Sequence, residues 1–240
     1  MRLPSILLLL SLTCGFCLAE EAPTIPAVRF DPVQREMEGW TVHCDPAILE
    51  GGEHAVEGAK ALRMLGDHLH RISLLVEESR LVKLRKCEIW IEHEHPVMKA
   101  MQYHPGVGWL KSHGHDPRLH QKVHVVRAAA LLDRGQLLKH PAVILHELAH
   151  AYHDQFLTFE HKPTLDTYKK AMDAKLYDRV LLFNGKFVPH YATTNHKEYF
   201  AESTEAYFYR NDFFPFVRAE LKEHDPATHT LMEKVWGRLD

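Results

Sequence analysis

The chain lacks a basic surplus. Its 29 Lys and Arg are outnumbered by 32 Asp and Glu, giving a formal charge of −3 with histidine neutral, and no basic patch stands out. That excludes a nucleic-acid partner. It also lacks repeats and any tract of disordered composition, so 240 residues at 45% hydrophobic content suffice for one domain with a substantial core. Long apolar runs are missing too. The run Ile6 to Leu12 is short for a membrane span and has no positive residues on its far side. Arg2 precedes it, small residues ending Cys17-Leu18-Ala19 follow it, and Glu20-Glu21 come next. Residues 1–19 therefore read as a secretory signal peptide cut after Ala19, leaving a secreted or periplasmic domain over 20–240 with no stable membrane span. Thr13 and Phe16 are poor residues to precede a lipidated cysteine, which disfavours a lipoprotein. Cysteine is scarce, at four. Cleavage removes Cys14 and Cys17, so Cys44 and Cys87 are expected to form a disulfide, valued at ~4 kcal/mol by chain entropy.

What is present is ordered along the chain. Glu20 to about Gln34 has three prolines and no periodicity and reads as a loose lead-in, and Gly39 to Cys44 alternates as a short strand. Val56, Leu62, Leu65, Leu69, Ile72 and Val76 recur at helical intervals, so Glu53–Val76 is an amphipathic helix. Cys87–Glu92 alternates as a strand, Tyr103–Pro117 is a Gly-, Pro- and His-rich loop, and Lys122–Arg127 is a further strand at the sheet edge. Thr164–Leu176 reads as a helix. Asn184-Gly185 between Val180–Phe183 and Lys186–Val188 signals a hairpin, and helices follow from about His196. Strands first and helices later predict an α+β domain: a small mixed sheet, a central helix and a helical C-terminal part.

The chemistry is concentrated in His146-Glu147-Leu148-Ala149-His150. On a helix, residues four apart share a face, so both imidazoles reach one metal, and Glu147, about 100° round, reaches a water beside it. Twenty histidines make a chance match easier, but the flanks argue against chance. Val143, Ile144 and Leu145 lead in, Ala151 follows, and Glu147 is the only charged residue between His140 and His153. The segment reads as a buried helix from Pro141 to about Phe156, in which two histidines and a carboxylate call for a divalent cation. Catalytic zinc has three protein ligands plus water. A third histidine ten residues after His146 is absent, since that position is Phe156. The alternative is a carboxylate from a later helix, where Glu198, Glu202 and Glu205 share one face.

In these two segments the chain resembles the zinc metallopeptidases related to the catalytic domain of anthrax lethal factor, a group that includes secreted bacterial Pro-Pro endopeptidases. The resemblance rests on His146-Glu147-Leu148-Ala149-His150-Ala151 and on Tyr191-Ala192-Thr193-Thr194-Asn195-His196-Lys197-Glu198-Tyr199-Phe200-Ala201-Glu202, a few dozen residues in all. It implies a zincin-like fold, with His146, His150 and Glu198 binding zinc and Glu147 as general base. Tyr191 would donate to the developing oxyanion, and Glu202 would orient a ligand histidine. His153, His190 and His196 compete for the third ligand place. His153 lies a turn beyond His150 and rotated about 60° away. His190 and His196 would leave Glu198 unpaired in the site.

The expected activity is zinc-dependent hydrolysis of a peptide or protein substrate, and Lys122–Arg127 is either the edge to which an extended substrate adds as an extra strand or an ordinary sheet edge, with nothing in the sequence favouring one over the other. Two alternatives lack turnover. One is a metal-binding protein using His68-Leu69-His70, His93-Glu94-His95 and His113-Gly114-His115, and the other is a zincin-like scaffold. The first has no use for Glu147, and the loss of a ligand or of the base that would favour the second is not seen.

Overall fold

In the computed structural model, which describes residues 26–239, the sheet begins at a turn made by Glu38 and Gly39. Both have positive φ, 52° and 88°, as a tight two-residue hairpin requires. The turn joins β1 (Val33–Met37) antiparallel to β2 (Trp40–Cys44). β1 falls largely beyond the expected lead-in and carries little sequence signal, because an edge strand with three exposed polar residues in the middle has no apolar face to alternate. The leader expected over residues 1–19 lies outside the described residues.

Helix α1 (Ala55–Leu75) follows, burying Ala61, Leu65, Leu69 and Ile72 in the main core while Val56 in its first turn stays exposed. A short α2 (Glu78–Leu84) leads to β3 (Ile89–Ile91). The stretch read as loop contains one of the two residues of β4 (Gln102–Tyr103) and all of α3 (Val107–Ser112), and β5 (Val123–Val125) comes next. The strand order is β1-β2-β3-β5-β4, with β2, β3 and β5 parallel and the two outer strands antiparallel. This corrects the expected edge position of Lys122–Arg127. β5 is internal, and β4, too short to carry a period, takes the edge beside it.

After α4 (Arg134–Lys139) come α5 (Val143–Tyr152) and a single π-helical turn over His153–Leu157. Next are α6 (Lys162–Asp173) and the hairpin β6 (Val180–Leu181) and β7 (Phe187–Val188), with Gly185 at φ 87° in its turn. The chain closes with α7 (His196–Phe208), α8 (Arg218–His224) and α9 (Pro226–Trp236). The α+β reading holds: a small mixed sheet, then helices. Trp236 ties the last helix to the centre, with its indole N–H donating to Thr204 Oγ1 (3.1 Å) and its ring against Tyr152. No helix among the described residues is long and apolar enough to cross a membrane.

Val42, Ile89, Ile91, Val123 and Val125 belong to the main core. The intervening Trp90 belongs to a separate small cluster on the far side of the sheet, with His43 stacked on it. Here His104 Nε2 donates to His124 Nδ1 (3.1 Å), His124 Nε2 donates to Glu92 (2.5 Å), and Glu92 pairs with Arg29. Burial pushes the His104 and His124 pKa values down to about 3, His190 likewise to about 3, and His68 to about 4. A lowered histidine contributes no penalty above its unfolded pKa near 6.5 and destabilises as pH falls below it. Between pH 6.5 and 5.5 each of the four costs about 1 kcal/mol, and buried Glu202, whose pKa is held well above the usual carboxylate range by burial and by Glu205, works the other way because it takes up its proton in the folded state. His146, whose pKa is raised, does not offset the histidine cost, because its contribution is already complete below pH 6.5. The urea midpoint of metal-free protein should therefore drop sharply over that unit, and coincident midpoints would rule the effect out.

Cys44 and Cys87 are buried free thiols, so the expected disulfide is not formed. The register explains this. Cys44 lies opposite Ile91, which puts Cys87 four residues away along parallel strands, about 13 Å at ~3.3 Å per residue. A bridge needs Cα atoms within about 7 Å. Burial pushes the Cys44 pKa up to about 11 and Cys87 to about 12, so neither forms much thiolate. Iodoacetamide should label neither thiol in native protein and both in denaturant without reductant. Labelling that requires prior reduction would restore the bridge.

Candidate metal centre

Helix α5 is buried at every position except His150, which is half-buried. Helix α7 packs against it. The Asn195 side chain caps α7 by accepting from the backbone N–H groups of Lys197 and Glu198 (2.9 and 3.1 Å), which sets where Glu198 leaves the first turn. The acidic stripe is no solvated face: Glu202 and Glu205 are buried.

His146, His150 and Glu198 converge. His146 Nε2 is 3.1 Å from His150 Nε2 and 3.2 Å from Glu198 Oε2, and His150 Nε2 is also 3.2 Å from Glu198 Oε2. Ligand atoms bonded at 2.0–2.1 Å to a tetrahedral ion stand roughly 3.3 Å apart, so this near-equilateral triangle matches one face of such a shell. A second group, His140, His146 and Glu205, also brings three donor atoms together. Its spacings differ: Glu205 Oε1 is 2.6 Å from His146 Nδ1 and 2.9 Å from His140 Nε2. Those are hydrogen-bond lengths, so Glu205 acts as an acceptor for imidazole N–H groups.

With the His146 proton on Nδ1 toward Glu205, its Nε2 presents a lone pair to a carboxylate oxygen. Two acceptors 3.2 Å apart require a cation between them, either a proton or a metal. Burial opposes charge on His146, but Glu198 and Glu205 outweigh it and hold its pKa well above the usual imidazole range. Burial likewise works against ionised Glu198, yet His146 and His150 pull its pKa far below the usual carboxylate range. The donor set therefore suits a divalent ion, and the neutral-imidazole, carboxylate chemistry suits zinc among others.

Glu147 stands beside the triangle and not in it. Its Oε2 accepts from the backbone N–H of Tyr103 on β4 at 2.8 Å, and burial raises its pKa. Tyr191 opens a 3₁₀ turn (Tyr191–Thr193) capped by His190, and is 47% exposed with no hydrogen bond to its hydroxyl among the described residues. Tyr191, His146, Glu147, His150 and Glu198 all line one cavity of about 810 Å³, whose wall includes β4 and the residues leading into it.

The competing histidines stay out. His153 is fully buried in the π-helical turn against Phe200, with neither ring nitrogen hydrogen-bonded, and burial pushes its pKa down to about 3. His190 accepts from Ala192 N and stacks on Phe213, while His196 Nε2 is buried without a partner. Glu202, expected to orient a ligand histidine, lies 3.8 Å from His146 Nδ1, too far for a hydrogen bond, and Glu205 holds that place. Side chains tilt toward the helix N-terminus, so the residue one turn further along reaches back to His146. His140 and the Tyr103 backbone were not singled out from sequence. Nothing local marks either one, because both enter through contacts between distant segments. No protein-family model, curated protein or solved structure matches this chain.

Proposed function

We propose that this protein is a zinc-dependent metallopeptidase with a zincin-like catalytic domain. The observation that carries the reading is the triangle of His146, His150 and Glu198 with Glu147 beside it in an 810 Å³ cavity. The resemblance of its two motifs to the lethal-factor and Pro-Pro endopeptidase group supports the same reading, and the leader-like residues 1–19 support a secreted or periplasmic location.

When bound, zinc supplies a Lewis acid that acidifies a water and polarises the scissile carbonyl. Glu147 takes the water's proton as the oxygen attacks the carbonyl carbon, and delivers it to the amine nitrogen as the C–N bond breaks. Its carboxylate is aimed by the Tyr103 N–H, which leaves one oxygen for the proton. Tyr191, unpartnered on the cavity wall, donates its hydroxyl proton in a hydrogen bond to the oxyanion. An extended substrate adds along β4, which is the sheet edge at the cavity, and not along the internal β5.

A diverse peptide mixture tests the activity. Zinc-loaded protein should produce defined cut sites by mass spectrometry, a chelator should abolish them, and added zinc should restore them. Stoichiometric zinc without any cut would leave the scaffold reading in its place.

A further inference from the structure

We propose that Glu205 and His140 form a positioning pair that fixes the tautomer and orientation of the ligand histidine His146; the inference rests on the metal reading above. An imidazole can offer a bare nitrogen to a metal only if its proton sits on the other one, and what that other nitrogen meets decides the matter. For His146 the other nitrogen meets a carboxylate at 2.6 Å, and a carboxylate only accepts. The proton is therefore held on Nδ1 and Nε2 faces His150 and Glu198.

Glu205 needs holding in turn. Its side chain is fully buried and its Oε2 has no partner, so the whole anion depends on what reaches Oε1. Two imidazoles do: His146 and, at 2.9 Å, His140. The two rings stand edge to face, 5.3 Å between centroids and 85° between planes, so they approach one oxygen from different directions. Without His140, Glu205 would keep one hydrogen bond and be free to rotate about it, and His146 would lose its fixed plane. His140 sits just ahead of α5, its carbonyl accepting from Val143 N at 3.3 Å, so the turn that starts the ligand helix also sets the second donor.

Zinc affinity by chelator competition tests the pair on folded protein, checked by circular dichroism. Glu205→Gln, which keeps the shape but weakens the acceptor, should raise the zinc Kd by about 10- to 100-fold. His140→Ala, which removes no metal ligand, should raise it by roughly 3- to 10-fold. His140→Gln, whose amide can still donate, should recover most of that loss. Because His140 acts through Glu205, the double variant should bind zinc about as Glu205→Gln does. The His146 Nδ1–H resonance in ¹⁵N-histidine spectra should shift or broaden in His140→Ala. An unchanged Kd in His140→Ala, or additive losses in the double variant, would overturn the pair. So would wild-type protein that binds two zinc ions and loses one in His140→Ala, since the three residues would then be a second metal site. Wild type that binds no zinc would instead remove the metal reading itself.

Discussion

Replacing Glu147 by glutamine should leave zinc near stoichiometric and reduce turnover by at least about 10²-fold, the lower end of general-base contributions. The carboxylate is adjacent to the three converging donor atoms but not among them. Glutamine keeps the size of the side chain and an oxygen to accept from Tyr103 N–H, so β4 and the cavity wall stay in place. What it loses is basicity, and removing a buried carboxylate exacts no stability penalty of its own. The loss should appear in kcat with KM little changed, because no substrate-binding group is altered. Steady-state kinetics with zinc content measured on the same samples decide it, and undiminished kcat in zinc-loaded Glu147→Gln would remove Glu147 from the mechanism.

Glu198→Ala has the opposite signature. It takes away one corner of the triangle, so zinc affinity should fall by well over the 10- to 100-fold expected for an orienting residue, and activity should disappear with the metal. Of the triangle, two histidines would remain, and none of the competing histidines replaces the third corner: His153 and His190 are buried against aromatic rings, and His196 lies outside the converging group. Chelator competition on wild type and Glu198→Ala, with His153→Ala as a control, makes the comparison. Zinc binding that survives Glu198→Ala but fails in His153→Ala would refute the ligand assignment.

Much of this was legible locally. His146, Glu147 and His150 are held in relation to one another by helical geometry alone, and α1, α5, α7 and the Asn184-Gly185 hairpin follow from periodicity and turn chemistry. The acidic stripe was legible as a stripe, but its division of labour was not. Glu198 at the metal corner and Glu205 rather than Glu202 behind His146 depend on where α7 lies along α5, which differs by less than a helical turn between the two outcomes.

The amino-acid sequence by itself determined what lies within a few residues along the chain: helix faces, tight turns and the four-residue spacing that aims two imidazoles at one point. Only the tertiary structure decided what depends on register between distant segments. It set Cys87 four residues from Cys44, buried β5 behind a two-residue β4, and brought Tyr103 N–H and the His140 ring to Glu147 and Glu205. The physical reason is range. Backbone sterics and periodicity act over one or two turns, whereas a hydrogen bond between residues 44 or 65 positions apart exists only once the core has packed the elements that carry them.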